Sequence, residues 1–151
     1  MKKTALVLAL VAVVLFGVYL AYDSAANPGI TFNCNCETSH KSATFTDEEI
    51  NAAIKEVKKK FKDFEGCDLK ELRYDEEIRH REAEAYLTTG GGSDSKIENT
   101  NVMILVSRFD VDNSSAAAAG GFNGGTTYDN WLWILTRSSE GENWEVVDWG
   151  Y

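Results

Sequence analysis

An α+β fold, one long helix packed on a curved antiparallel sheet of about four strands, is what the greater part of this sequence predicts. Two observations carry that expectation. A single apolar stripe recurs at helical spacing after residue 45, and the later stretches alternate as strands do, joined by glycine-containing connections. Their order, a long helix, a strand, a short helix and then three strands in a meander, is that of an α+β domain. At 151 residues a second full domain is excluded.

Residues 1–22 stand apart from that domain. Lys2 and Lys3 precede a run from Ala5 to Tyr22 in which Gly17 alone falls outside the apolar set; as a helix it would span roughly 27 Å. It is apolar on every face, and a chain this small could not surround it as a core helix. The run reads either as a retained transmembrane anchor or as a signal peptide cleaved after Ala26, where Ser24 and Ala26 supply the small residues. In both readings the two lysines keep the N-terminus in the cytoplasm and send the rest outward. All 24 acidic residues lie beyond Tyr22, against 13 basic ones. That remainder lacks the cationic footprint nucleic acid requires.

Residues 23–44 form a polar tether rich in Asn, Ser and Thr. Its two cysteines, Cys34 and Cys36, lie too far from the apolar run for lipid attachment. A bridge between them would be strained, and Cys-x-Cys with distant His40 is short of ligands, so no metal is expected. Intermolecular disulfides between tethers stay open in an oxidising compartment.

The extracytoplasmic domain occupies residues 45–151. Thr46 and Glu49 have the spacing of a capping box, in which each side chain satisfies the other residue's free amide. Behind it Ile50, Ile54, Val57, Phe61 and Phe64 make one stripe, and Glu65-Gly66 closes the helix with a residue able to take positive φ. Lys55, Lys58, Lys59 and Lys62 fall mostly off the stripe, as a solvated face or a contact for anionic lipid or wall polymer. Cys67 to Tyr74 reads as a strand beginning with a buried thiol. Asp75 can cap a charge-rich second helix, Glu76 to Leu87, whose few apolar residues cover a core thinly. Gly90 to Thr100 is a loop.

Val102 to Val106 is apolar on both alternating faces, as expected of a central strand covered on both sides; the strand runs to Val111. Asp112 to Thr127 is a glycine- and alanine-rich connection. Tyr128 to Arg137 is a strand with Trp131, Trp133 and Leu135 on one face, and Trp144 to Tyr151 is the last. Pairing Arg137 with Trp144 sets Leu135 beside Val146 and Trp133 beside Asp148, which puts Asp148 on the tryptophan face; a one-residue slip reverses that.

At Tyr128-x-Asn130-Trp131-x-Trp133-Ile134-Leu135-x-Arg137, followed by Trp144 and Asp148-Trp149-Gly150-Tyr151, the chain resembles a family of uncharacterised, signal- or lipid-anchored envelope proteins of Gram-positive bacteria. The resemblance includes the capped helix Phe45 to Gly66 and covers about residues 45–151. It implies a nuclear-transport-factor-two-like, cystatin-like α+β cone. The chain departs from lipid-anchored relatives in having no lipobox cysteine after the apolar run.

Such a cone can leave an apolar pocket, where burial raises a carboxyl's pKa and makes it a general base. Asp148 is the catalytic candidate, with Tyr128 and Arg108 as polar partners; otherwise it pairs with a helix lysine or meets water. Trp131, Trp133, Tyr128 and Arg108 are the ligand-binding candidates, the tryptophans serving either as core or as a stacking surface for sugars or a partner. His80 sits among charges and is expected in solvent. Asp110-x-Asp112-x-Ser114 opens like a calcium loop but has Ser115 and Gly121 where glycine and glutamate are needed. Gly120-Gly121 and Gly124-Gly125 lack the lysine of a phosphate loop. The expected function is a membrane-tethered extracytoplasmic binding or interaction module with no cofactor, self-associating through a sheet face or taking a small-molecule or envelope partner. The alternative is a small cone-fold enzyme using Asp148.

Overall fold

The computed structural model describes residues 42–151. The apolar run, the Ser24/Ala26 cleavage site, Cys34, Cys36 and His40 lie outside the described residues.

Helix α1 (Asp47–Phe61) begins at the capping box. Glu49 N donates to Thr46 Oγ1 at 3.2 Å, and Thr46 N donates to the Glu49 carboxylate at 2.8 Å. Acidic residues fill its first turn and Lys58, Lys59 and Lys60 its last, both favourable to the helix dipole. Its stripe buries Ile50, Ala53, Ile54, Val57 and Phe61. The regular helix ends before the stripe does. Phe64 belongs to the following turn, where its amide donates to Phe61 O at 3.0 Å while its ring stays buried. Gly66 then takes φ 74, the left-handed conformation that glycine adopts without steric cost.

Strand β1 (Cys67–Tyr74) follows, then helix α2 (Glu76–Thr88), capped by Asp75, whose Oδ1 accepts from Glu77 N and Ile78 N. A 3₁₀ turn (Asn99–Asn101) leads into β2 (Val102–Val111). A one-turn helix α3 (Ser115–Ala119), not expected from the sequence, interrupts the glycine-rich connection, because Ser114 accepts from Ala117 N and starts a run of four alanines. Strands β3 (Thr127–Thr136) and β4 (Glu145–Gly150) complete an antiparallel sheet of order β1-β2-β3-β4. The fold is α+β with four antiparallel strands. Among the described residues no helix is long and apolar enough to cross a membrane.

The alternation of β2 divides the core in two. Met103, Leu105 and Phe109 meet the α1 stripe together with Leu69, Leu72, Trp133 and Leu135. Val102 and Ile104 face the other way, against Ala83 of α2 and its half-buried neighbours Ile78, Tyr86 and Leu87. The charge-rich α2 is held there partly by a charge. Arg79 is 2% exposed, donates through Nε and Nη2 to Val102 O at 3.2 and 3.0 Å and also to Asn99 O, and lies 5.0 Å from the Phe45 ring. A buried guanidinium is tolerated where carbonyl oxygens take its donors.

Candidate functional site

Two irregularities of the sheet build the site. Between β2 and β3 the partners run Ser107 with Trp131 and then Phe109 with Tyr128, so Asp129 and Asn130 together stand opposite Arg108. This is a β-bulge, and Asn130 takes φ 57, the one non-glycine residue with positive φ among those described. Residues three apart point to opposite faces of a regular strand. Here the extra residue turns Tyr128 and Trp131 to the same, α1-facing side, with ring centroids 5.6 Å apart.

Strand β4 repeats the device. Leu135 pairs with Val146 as expected, but Ile134 pairs with Asp148 and Trp133 with Trp149, leaving Val147 as the extra residue. Val146 and Trp149 therefore both serve the α1 side; Val146 packs on the core, and Trp149 lies 6.3 Å from Trp133 and 6.4 Å from Phe64.

The result is an open groove of about 450 Å³ walled by Phe64, Phe122, Tyr128, Trp131, Trp149 and Tyr151. Trp149 is 40% exposed and Tyr151 is 78% exposed, so both offer ring surface to solvent. The Tyr128 hydroxyl accepts from Asn123 N at 3.1 Å, which fixes its phenol. Trp131 Nε1 is buried and has no hydrogen-bond partner, alone in this among the described buried side-chain polar atoms. Lys60 stands at the rim, 2.9 Å from Asp63 and 4.8 Å from the Trp149 ring centroid. Gly120 and Gly121 leave the opposite rim low; a Cβ at Gly121 would meet nothing within 4 Å.

Of the residues singled out in the sequence, the structure joins Tyr128 and Trp131 and separates the others. Trp133 is fully buried and donates from Nε1 to Ser107 Oγ at 2.8 Å, a core residue with no ligand-accessible surface. Arg108 projects to the opposite face and pairs with Asp129 at 3.1 Å, in an ionic cleft with Glu71 and Arg73. Asp148 does not share a face with Trp133, a correction to the expected register, because the Val147 bulge supplies the one-residue slip. It is exposed, accepts from Trp149 N at 2.8 Å, lines none of the described cavities, and faces the α2 side. There burial and then the Asp148 charge push the Tyr86 phenol up.

The remaining candidates have local roles. Cys67 is a half-buried free thiol, raised to about 11 by burial and by the Asp112 carboxylate, which makes it a poor nucleophile near neutral pH. Asp112 accepts from Ser114 N at 2.8 Å and Asp110 from Thr127 Oγ1 at 2.6 Å, so each closes a local contact. Among the described residues no group of three or more His, Cys, Asp or Glu could hold a metal. His80 is exposed, as are Lys55, Lys59 and Lys62.

A larger cleft, about 730 Å³, surrounds Arg137. That arginine is engaged already: its side chain is 4% exposed, bonds Glu49 at 2.5 Å, Asn101 Oδ1 at 2.9 Å and Thr100 O at 3.3 Å, and stacks 4.5 Å from Trp144. Its donors tie α1 to the sheet, leaving the aromatic groove as the better candidate for a ligand.

The groove's other walls, Phe64, Phe122, Trp149 and Tyr151, went unmarked in the sequence as site residues. The bulge that brings Tyr128 and Trp131 to one face does have a sequence signal, Asn130 between them, since asparagine tolerates the left-handed conformation a bulge needs. Compared with protein-family models, with curated proteins and with solved structures, the chain has no match in any of the three.

Proposed function

We propose that this protein is a membrane-tethered extracytoplasmic binding module, non-catalytic, whose site is the aromatic groove between α1 and the β3–β4 end of the sheet. The domain takes the part of a nuclear-transport-factor-two-like, cystatin-like cone, carried outside the cytoplasm by the apolar run through the polar tether. The observation that carries the reading is the pair of solvent-facing rings, Trp149 and Tyr151, at the mouth of a groove of about 450 Å³ walled also by Phe64, Phe122, Tyr128 and Trp131. Exposed apolar surface gathered around a few polar groups is the ordinary composition of a ligand site, and here Lys60 and Asp63 supply the polar groups at the rim.

The test uses the full chain with 2-naphthol, a small uncharged aromatic probe, followed through tryptophan fluorescence. Saturable quenching that Trp149→Ala abolishes supports the groove; quenching that is absent, or identical in the variant, overturns it. Retention in membranes after salt extraction, with the mass of the mature chain, separates a retained anchor from cleavage near Ala26.

Self-association is the second reading. It is favoured by one observation: the large hydrophobic residues exposed in the described domain, Val147, Trp149 and Tyr151, all lie on or beside β4, an edge of the sheet. The opposite edge, β1, carries Asp68, Lys70, Glu71 and Arg73, charges of the kind that protect an edge from pairing. A concentration-dependent mass in sedimentation, lost in Val147→Lys, is the outcome that supports a β4 interface. The general-base reading of Asp148 draws no support from an exposed carboxylate on the α2 side.

A further inference from the structure

We infer that Asn123 is a site of covalent self-modification: its side-chain amide is lost by spontaneous deamidation through attack of the Gly124 nitrogen, and the isoaspartyl product releases the loop that holds Tyr128. The modification requires no ligand and stands apart from the binding reading of the groove.

Deamidation of asparagine is an intramolecular reaction, favoured by proximity, in which the backbone nitrogen of the next residue attacks the side-chain carbonyl. Glycine in that next position has no Cβ to crowd the nitrogen. Asn123-Gly124 is the one Asn-Gly pair in the chain.

The structure leaves both reacting groups free. Asn123 is exposed in the connection between α3 and β3. Its neighbours are held: Phe122 N donates to Ala117 O at 3.1 Å, Asn123 N to the Tyr128 hydroxyl at 3.1 Å and Gly125 N to Val111 O at 2.9 Å. Among the described residues the Gly124 amide has no acceptor, and the Asn123 carboxamide bonds nothing. Other asparagines are guarded. Asn113 precedes Ser114, whose amide is committed to Asp112 Oδ1 at 2.8 Å, and the Asn101 carboxamide accepts from the buried Arg137 at 2.9 Å. Packing also requires the glycine, since a Cβ at position 124 would come 2.9 Å from Asn113 Oδ1 and 3.1 Å from Asp112 O.

The reaction balances with water alone. Gly124 N gives its proton to solvent base and forms a bond to Asn123 Cγ, the Cγ–Nδ2 bond breaks, and ammonia leaves from a succinimide ring. Water then opens the ring. Cleavage of the new Cγ–N bond gives aspartate with the ordinary backbone; cleavage of the original peptide bond gives isoaspartate, whose chain continues through Cγ. The second product carries one extra main-chain carbon, about 1.5 Å, between the Asn123 N–H on Tyr128 and the Gly125 N–H on Val111. Both bonds cannot keep their places across a longer link, so the phenol loses the donor that fixes it against Phe109, 5.1 Å away, and Trp131, 5.6 Å away.

The experiment ages the full chain in warm, mildly alkaline buffer beside a free peptide of residues 121–126. The tryptic peptide Phe109–Arg137, which also holds Asn113 and Asn130 as internal controls, is followed by mass spectrometry, with fragmentation to place the change and isoaspartyl methyltransferase to detect the altered linkage. Amide-to-acid exchange is expected at Asn123, faster at higher pH and within about tenfold of the free peptide, since exposed loops open at little cost. Slower exchange than that, or exchange at Asn113 or Asn130 in its place, overturns the site. The aged parent is expected to lose part of its near-ultraviolet aromatic signal, while aged Asn123→Gln, which would have to close a larger ring, keeps it. A deamidated chain with the aromatic signal of the fresh protein overturns the coupling to Tyr128.

Discussion

At Asn130 the backbone is held at φ 57, a conformation that costs an L-residue roughly 1–2 kcal/mol, which asparagine tolerates better than most and glycine adopts freely. The conformation is what lets Tyr128 and Trp131 share a face. Asn130→Gly is therefore expected to leave urea stability within about 0.5 kcal/mol, whereas Asn130→Val, β-branched at that φ, is expected to lose about 1–2 kcal/mol and to change the near-ultraviolet aromatic signal. Equal stability of the two variants would show that the bulge is not held by this residue. The sequence displayed the Tyr, Asn and Trp but not the bulge, because a bulge is chosen by pairing with another strand. Alternation read from β3 alone assigns Tyr128 to the opposite side.

Among the elements, α1 was legible from its cap through Phe61, since a capping box and a stripe of alternating three and four spacings are local properties of the chain. What joins it to the sheet was not. Glu49, read only as half of a cap, also bonds Arg137, 88 residues away. Burial would push the Glu49 carboxyl up, but the Thr46 amide and the Arg137 guanidinium outweigh it and hold the group below its ordinary value. Its folded pKa is thus lower than the unfolded one, about 4.3. The stability it contributes is complete above that pH and is lost as pH falls through the folded value. Glu49→Gln is expected to cost about 1.5–3 kcal/mol near neutral pH, the range for a hydrogen bond to a charged group. Urea midpoints measured between about pH 7 and pH 3 should fall with acidity in the parent and fall less in the variant. Parallel curves would exclude Glu49 as a contributor to acid sensitivity.

Across the whole molecule the four tryptophans have different fates: Trp133 and Trp144 are in the core, Trp131 is half-buried, and Trp149 is 40% exposed. Acrylamide is expected to quench a distinct accessible fraction of the emission, and Trp149→Phe to remove most of that fraction without shifting the thermal midpoint by more than a few degrees. Quenching that is unaltered in the variant would place the accessible indole elsewhere. The domain is also tied at its entry. The Glu76 carboxylate accepts from Ser42 Oγ, Ala43 N, Thr44 Oγ1 and Tyr74 OH at 2.7 to 3.1 Å, so the last residues of the expected tether are bonded to the start of α2. By itself the sequence determined the α+β class, the helix caps, the strands Cys67 to Tyr74 and Val102 to Val111, and the two-sided burial of β2, because capping and hydrophobic period act between near neighbours in the chain. Only the tertiary structure decided which face Asp148, Tyr128 and Trp149 present, and with them the groove. A one-residue bulge reverses every side chain beyond it, and whether it forms depends on a partner strand that local pattern does not see.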